Sequence, residues 1–208
     1  MSQIIVALDG MSEKKSLSLA EKLSGLVWGF KVNDLLFEDP RIIKKLKKFG
    51  NIFADAKLHD IPNTVSNSVS RLALLGADII TVHASGGREM MRAAKKAAGK
   101  SKIIAVTVLT SVTGNQKKIV LKLAHEAQAA KLDGIVCSAQ EVRYISARML
   151  KIVPGIRLKP SVSKDDQKRT ATPTEALKAG ASLLVVGRPI TQAKDPIKII
   201  KEINAGTA

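Results

Sequence analysis

NIFADAKLHDIPNTVSNSVSRLALLGADIITVHA, residues 51–84, sets a short apolar run, a helical stretch and a second short apolar run in line. The runs NIFADAK (51–57) and ADIITVHA (77–84) are short, rich in β-branched residues and apolar on both faces. That is the pattern of buried parallel strands. Between them Pro62 suits a first helical turn, and Val65, Val69, Leu72 and Ala73 form an apolar stripe. The first run then departs from the pattern. From Phe53 to Thr64 the chain sets down Asp55, Lys57 and Asp60 within six positions. A strand entering a core does not ordinarily carry such charges.

The same unit repeats in both directions. Further apolar runs are IIVALD (4–9), LVWGFKV (26–32), KIIAVTVLT (102–110), DGIVCSA (133–139), KIVPGI (151–156) and ASLLVVG (181–187). A helix is expected at Glu13–Ser24, with Ser12 as cap and Gly25 as stop. Other helical patterns cover roughly 39–49, 87–98, 116–131, 140–149, 173–180 and 195–204. Eight strands alternating with eight helices predict an α/β fold, a closed (β/α)₈ TIM barrel forming one domain over residues 1–208. The rival is an open doubly wound sheet. Eight regular units favour closure, and no GxGxxG follows the first strand.

At 208 residues the chain is just long enough for such a barrel. Aromatics make up only 3%, so aliphatic side chains must fill the core. No apolar run approaches the length of a membrane span, no signal peptide is read, and no membrane partner is expected. The lone cysteine, Cys137, cannot form an internal disulfide. In the apolar run GIVCS it reads as a buried thiol, which fits a cytoplasmic protein. The net charge of +16 admits a polyanion or an anionic metabolite as partner. Its lysines, however, spread over many segments without interleaved aromatics, as on solvated basic helix faces, and nucleic acid is not expected.

Barrel chemistry gathers where the strands end. Asp9 ends the first strand, Lys31 the second, and Asp55 and Lys57 the third. The last two stand two apart, which on a regular strand puts them on one face. Across the mouth, the seventh strand runs into PGIR (154–157) and the eighth ends in VVGRPI (185–190). Loops after these strands commonly build a phosphate site. Gly187 would let the backbone approach an anion, and Arg188 would supply a bidentate donor. The long polar segment 158–173 suits either a loop that closes over a ligand or an ordinary surface loop.

The sketch is an anion clamp facing an alternating array of Lys31, Asp55, Lys57 and Asp60. Opposite charges a few ångströms apart keep one another ionised. A protonated lysine at a reacting carbon can stabilise a developing carbanion and then protonate it. No His, Cys or carboxylate set has zinc spacing. His59 and His125 read as solvent-facing, and His83 as a structural hydrogen bonder at a strand end.

DAKLHDIPNT (55–64) resembles the D-x-K-x-x-D-x-x-x-T signature of the orotidine 5′-monophosphate decarboxylase family. The likeness runs along nearly the whole chain: VALD (6–9), GFKV (29–32), HASGG (83–87), VTVLTS (106–111), DGIVCSAQE (133–141), PGIR (154–157), DQKR (166–169) and VVGRPITQ (185–192). The resemblance implies decarboxylation of orotidine 5′-monophosphate to UMP and CO₂ with no metal and no organic cofactor, the last step of de novo pyrimidine nucleotide synthesis. It implies that Asp9 and Lys31 bind ribose hydroxyls, that Asp55 lies beside the scissile carboxylate, and that Lys57 protonates C6. Ser111 would contact the pyrimidine, and Gln167 would bridge base and phosphate. Pro154, Arg157, Gly187 and Arg188 would lie at the phosphate. Asp60 and Thr64 would reach the neighbouring site of a homodimer.

Two rivals differ in chemistry. Sister decarboxylases acting on 3-keto-L-gulonate 6-phosphate use Mg²⁺, which a glutamate at the end of the second strand helps to hold. Here that position is Lys31, which would repel the metal. A non-enzymatic basic RNA-binding protein would explain the net charge but not the charges at the strand ends.

Overall fold

The computed structural model describes residues 2–158 and 169–205. The strands are β1 (Ile4–Ala7), β2 (Gly29–Val32), β3 (Asn51–Leu58), β4 (Ile79–His83), β5 (Lys102–Val106), β6 (Gly134–Val136), β7 (Leu150–Val153) and β8 (Leu183–Val186). All pair in parallel in sequence order, and β8 pairs with β1, so the barrel closes. The helices are α1 (Glu13–Leu23), α2 (Asp34–Glu38), α3 (Ile42–Lys47), α4 (Pro62–Leu74), α5 (Gly87–Ala97), α6 (Lys117–Ala129), α7 (Pro173–Lys178), α8 (Arg188–Thr191) and α9 (Pro196–Ala205). No described helix is long and apolar enough to cross a membrane.

Strands apolar on both faces are what this geometry needs. Ile5, Phe53, Ile79, Ile104, Ile152, Leu183 and Val185 fill the barrel interior. Alternate residues such as Ile4, Val6, Ile52, Ile80 and Ile103 point outward to the helices. The helices meet them with narrow, small-residue stripes: Ala20 and Leu23 on α1, Val65, Val69 and Leu72 on α4, Val120, Ala124 and Ala127 on α6. Small helix residues against β-branched strand residues let the layers approach closely, so the core closes with few aromatics.

The bottom of the barrel is stapled in a repeating way. Asp78, just before β4, accepts the Ile52 N–H of β3 at 2.7 Å. Asp133, just before β6, accepts the Ile103 N–H of β5 at 2.8 Å. Ser182, just before β8, accepts the Lys151 N–H of β7 at 3.0 Å. Each satisfies a strand-start amide beyond the reach of the regular ladder.

Three local expectations are corrected. The stretch 140–149 is not an α-helix; it holds only a 3₁₀ turn, Val142–Tyr144. Ile145 is extended, and the Ser146 hydroxyl accepts the Arg148 N–H, so a local turn competes with the helix. The helix expected over 39–49 starts at Ile42, with the separate α2 before it. Pro40 forces Asp39 into an extended conformation, which interrupts the helical path. Ser12 does occupy the cap of α1, but its hydroxyl makes no capping bond.

Two glycines mark close strand approaches at the bottom. A Cβ on Gly29 would lie 2.0 Å from the Asn51 carbonyl oxygen, and one on Gly134 would lie 2.3 Å from that of Leu150. Backbone cannot move aside as a flexible side chain can. Gly29→Ala is therefore expected to lose about 1–3 kcal/mol or more of stability, read as a lowered urea midpoint with an unchanged m-value.

Candidate active site

The residues ending β1, β2 and β3 converge because register fixes their level. Ala7, Lys31 and Phe53 stand side by side across the three strands. Phe53 faces the barrel interior, so Asp55, two residues on, faces the same way. Lys31 Nζ donates to both Asp9 oxygens at 2.7 Å and lies 3.3 Å from Asp55 Oδ2. Lys57 Nζ donates to the same Asp55 oxygen at 2.6 Å. The array within one chain is thus Asp9–Lys31–Asp55–Lys57, with Asp9 joined at the Lys31 end and Asp60 not part of it.

Asp55 and Lys57 do not meet through regular strand alternation. Ala54 pairs with Ile80, but the next paired residue on β3 is Leu58, opposite Val82. Asp55, Ala56 and Lys57 therefore bulge against the single Thr81. Lys57 has φ of +46°, a left-handed conformation that costs a side-chain-bearing residue about 1–2 kcal/mol. Bulges of this kind re-aim a side chain, and here they turn Lys57 back onto Asp55.

Burial sharpens the electrostatics. Lys31 and Asp55 are each 7% exposed. For Lys31, burial pushes the pKa down, but Asp55 and Asp9 more than reverse it and the pKa is raised. For Asp55, burial pushes the pKa up, but Lys31 and Lys57, with the Lys57 and Thr81 hydrogen bonds, hold it below the ordinary carboxylate range. Both groups are therefore held charged. His83 is shifted down by burial and by the nearby His59 and Lys57. Its ring lies 5.5 Å from that of His59.

The array forms one wall of a cavity of about 510 Å³. Asp9, Lys31, Asp55, Lys57, Ser111, Pro154, Arg157, Gly187 and Arg188 all line it. The opposite wall is built by the ends of β7 and β8. Gly155 takes φ of +76°, which turns the chain so that Arg157 N–H donates to Ala171 O at 2.9 Å. After β8 the one-turn helix α8 starts at Arg188 with Gly187 at its cap. A Cβ on Gly187 would stand 3.6 Å from the Ala7 methyl, and both residues line the cavity. Asp60 and Thr64 are exposed and do not line this chain's cavity, and Asp60 Oδ1 accepts the Ile61 N–H. Gln167 lies outside the described residues.

A model of the orotidine 5′-phosphate decarboxylase / HUMPS family matches residues 2–203. The chain belongs to that family. An orotidine 5′-phosphate decarboxylase of Saccharophagus degradans is 42% identical, with 99% of this chain and 95% of the relative covered. One from Sphingopyxis alaskensis is 44% identical, with 98% of each covered. Among solved structures, the orotidine 5′-phosphate decarboxylase of Lactobacillus acidophilus superposes with a TM-score of 0.85 at 36% identity, covering 100% of this chain and 99% of that one. The decarboxylase family's barrel and the clustering of charged strand ends argued from sequence thus meet in one molecule.

Several supporting residues escaped the sequence reading. Thr81 is fully buried and bonds both Asp55 and the Lys57 amide. Asn33 Nδ2 donates to Asp55 O at 2.7 Å, and Asp34 Oδ2 accepts the Gly10 N–H at 2.7 Å, tying the β1 and β2 loops to the array. Arg169 is buried in an ion pair with Glu141, which also binds the Ser138 hydroxyl. Its Nη2 donates to Val108 O at 3.2 Å and Leu109 O at 3.1 Å, bracing the loop that carries Ser111. A charged residue in a polar loop gives no hint of burial. Arg169→Met leaves Glu141 buried without its cation, so a loss of about 3–5 kcal/mol is expected in chemical denaturation. Glu141→Gln added to Arg169→Met should restore part of it.

Proposed function

We propose that this chain decarboxylates orotidine 5′-monophosphate to UMP and CO₂, the last step of de novo pyrimidine nucleotide synthesis, with no metal or organic cofactor. The observation that carries the reading is the Asp9–Lys31–Asp55–Lys57 array, with Lys31 and Asp55 buried, at one wall of a nucleotide-sized cavity whose other wall holds Arg157 and Arg188. The arginines and the backbone at Gly187 hold the 5′-phosphate, with Pro154 beside it. Asp9 and Lys31 bind ribose hydroxyls, Ser111 the pyrimidine edge, and Gln167 bridges base and phosphate. Asp55 stands beside the scissile carboxylate.

In the reaction the bond from C6 to the carboxylate breaks and CO₂ leaves, with the bonding electrons remaining on C6. Lys57 Nζ, fixed by Asp55, stabilises that charge as it forms and supplies the proton that ends it. Enzymes remove roughly 8–23 kcal/mol of barrier, and preorganised charge in a dry site is the largest resource such a wall offers. Phosphate contacts remote from C6 add energy that can be spent on ordering the reacting end. A Mg²⁺-dependent sister activity is disfavoured by Lys31, a buried ammonium where a metal-binding carboxylate would be needed.

Asp60 and Thr64 serve the site of a second copy in a homodimer. Their exposure at the rim beside Ile61, itself 66% exposed, supports this reading. The buried Cys137 thiol, pushed up to about 12 by burial, is compatible with a cytoplasmic setting.

Two measurements test the proposal. Absorbance of orotidine 5′-monophosphate should fall with enzyme equally with and without EDTA, and Lys57→Ala should abolish turnover while still binding UMP. Dependence on a divalent metal would transfer the chain to the sister chemistry. Secondly, mixing inactive Asp60→Ala with inactive Lys57→Ala subunits should restore activity, because half of the mixed dimer's sites would be intact. Verified heterodimers without activity would remove the shared site.

A further inference from the structure

The bulge that aims Lys57 depends on a side chain from the neighbouring strand. Where β3 carries Asp55, Ala56 and Lys57, β4 presents only Thr81, so the regular ladder is interrupted and a backbone amide loses its usual partner. The Lys57 N–H donates instead to Thr81 Oγ1 at 2.9 Å. An amide can only donate, so the hydroxyl must accept there, and its own proton is left for a second acceptor. That acceptor is Asp55 Oδ1, at 2.9 Å. The carboxylate is thereby held with one oxygen against the wall. The other, Oδ2, faces Lys57 Nζ at 2.6 Å and Lys31 Nζ at 3.3 Å.

The sheet itself does not ask for this hydroxyl. Thr81 is fully exposed to neither solvent nor ligand: its relative exposure is 0%, and it does not line the cavity. At a buried parallel-strand position valine has the same branched shape and a better match to its apolar surroundings. A polar group there must be satisfied, and among the described residues this one is satisfied by the two residues of the bulge.

We propose that Thr81 is a positioning residue for the decarboxylation. By accepting from the Lys57 amide and donating to Asp55, it holds Lys57 in its left-handed turn and sets which carboxylate oxygen faces the lysines. The proposal rests on the decarboxylase reading for its kinetic consequences but not for its geometry.

Thr81→Val removes the hydroxyl and keeps the shape. It is expected to lower kcat by about 100-fold, the scale of an ångström misplacement of a reacting group, with UMP affinity little changed. Thr81→Ser keeps the hydroxyl and should recover most of the lost rate. Hydrogen exchange at the Lys57 amide gives a readout independent of turnover: it should be slow in the wild type and the Ser variant, and fast in the Val variant. A Val variant with wild-type kcat, equal damage in the Val and Ser variants, or a fall in UMP affinity matching the fall in kcat would each overturn the proposal. Should Thr81→Val not fold, Thr81→Ser against Thr81→Ala makes the same comparison, with equal behaviour of the two overturning it. If the wild type does not act on orotidine 5′-monophosphate, the functional reading fails while amide exchange still decides the role of Thr81.

Discussion

The Asp55 carboxylate, buried between two ammonium groups, sets the terms for everything around it. Removing a carboxylate from water is costly, and paired charges recover that cost only when geometry is good and every remaining lone pair is occupied. Around Asp55 that condition is met by Lys31, Lys57 and Thr81 together. The arrangement is not what a chain optimised for stability alone would choose, because well-packed apolar residues would fill the same space at less cost. Its value is that the charges are already in place, with Lys31 and Asp55 shielded from water. A developing negative charge then meets fixed opposite charge without reorganisation of solvent.

The barrel makes this possible by separating the polarity of its two ends. Parallel strands bring all their C-terminal ends to one mouth, so residues remote in sequence, from Asp9 to Arg188, share a single cavity. Below them the interior layer of Ile5, Phe53, Ile79, Ile104 and Ile152 is dry and tightly packed. It forms a rigid floor of low polarity, against which the array is strong. At the far end Asp78, Asp133 and Ser182 staple successive strand pairs, so the floor is held from beneath.

The sequence disclosed the fold through features that depend on few neighbours. Runs such as IITV and LLVV read as buried strands because β-branched residues packed on both faces suit little else. Stripes such as Val65, Val69 and Leu72 read as helix faces for a similar reason. The failures occurred where a distant partner decides. Stretch 140–149 has helical composition, but Glu141 is drawn into the buried pair with Arg169, and Ser146 makes its own turn. Lys31, Asp55 and Lys57 were legible because charges at three strand ends are conspicuous. The bulge that unites two of them was not, since regular alternation predicts the same neighbours by another path. Thr81 was hidden by its own suitability, for a threonine in ADIITVHA passes as an ordinary β-former. What would betray it is a hydroxyl in an otherwise wholly apolar run, next to a strand that ends in charge.

The net charge of +16 takes on a different meaning once the acids are located. Many are already engaged: Asp78 with Lys47, Asp133 with Lys95, Glu126 with Arg88, Glu13 with Lys45. The surplus of lysine is spread over solvated helix faces, where it shapes the long-range field more than any local contact. Inside the cavity the distribution is uneven. Lys31 and Lys57 are offset by Asp9 and Asp55 at one wall, whereas the other wall carries Arg157 and Arg188. An anionic ligand with charge at both ends therefore meets two unlike walls. In the proposed reading its phosphate end lies at the arginines, and the array, with its charges already balanced, receives the other.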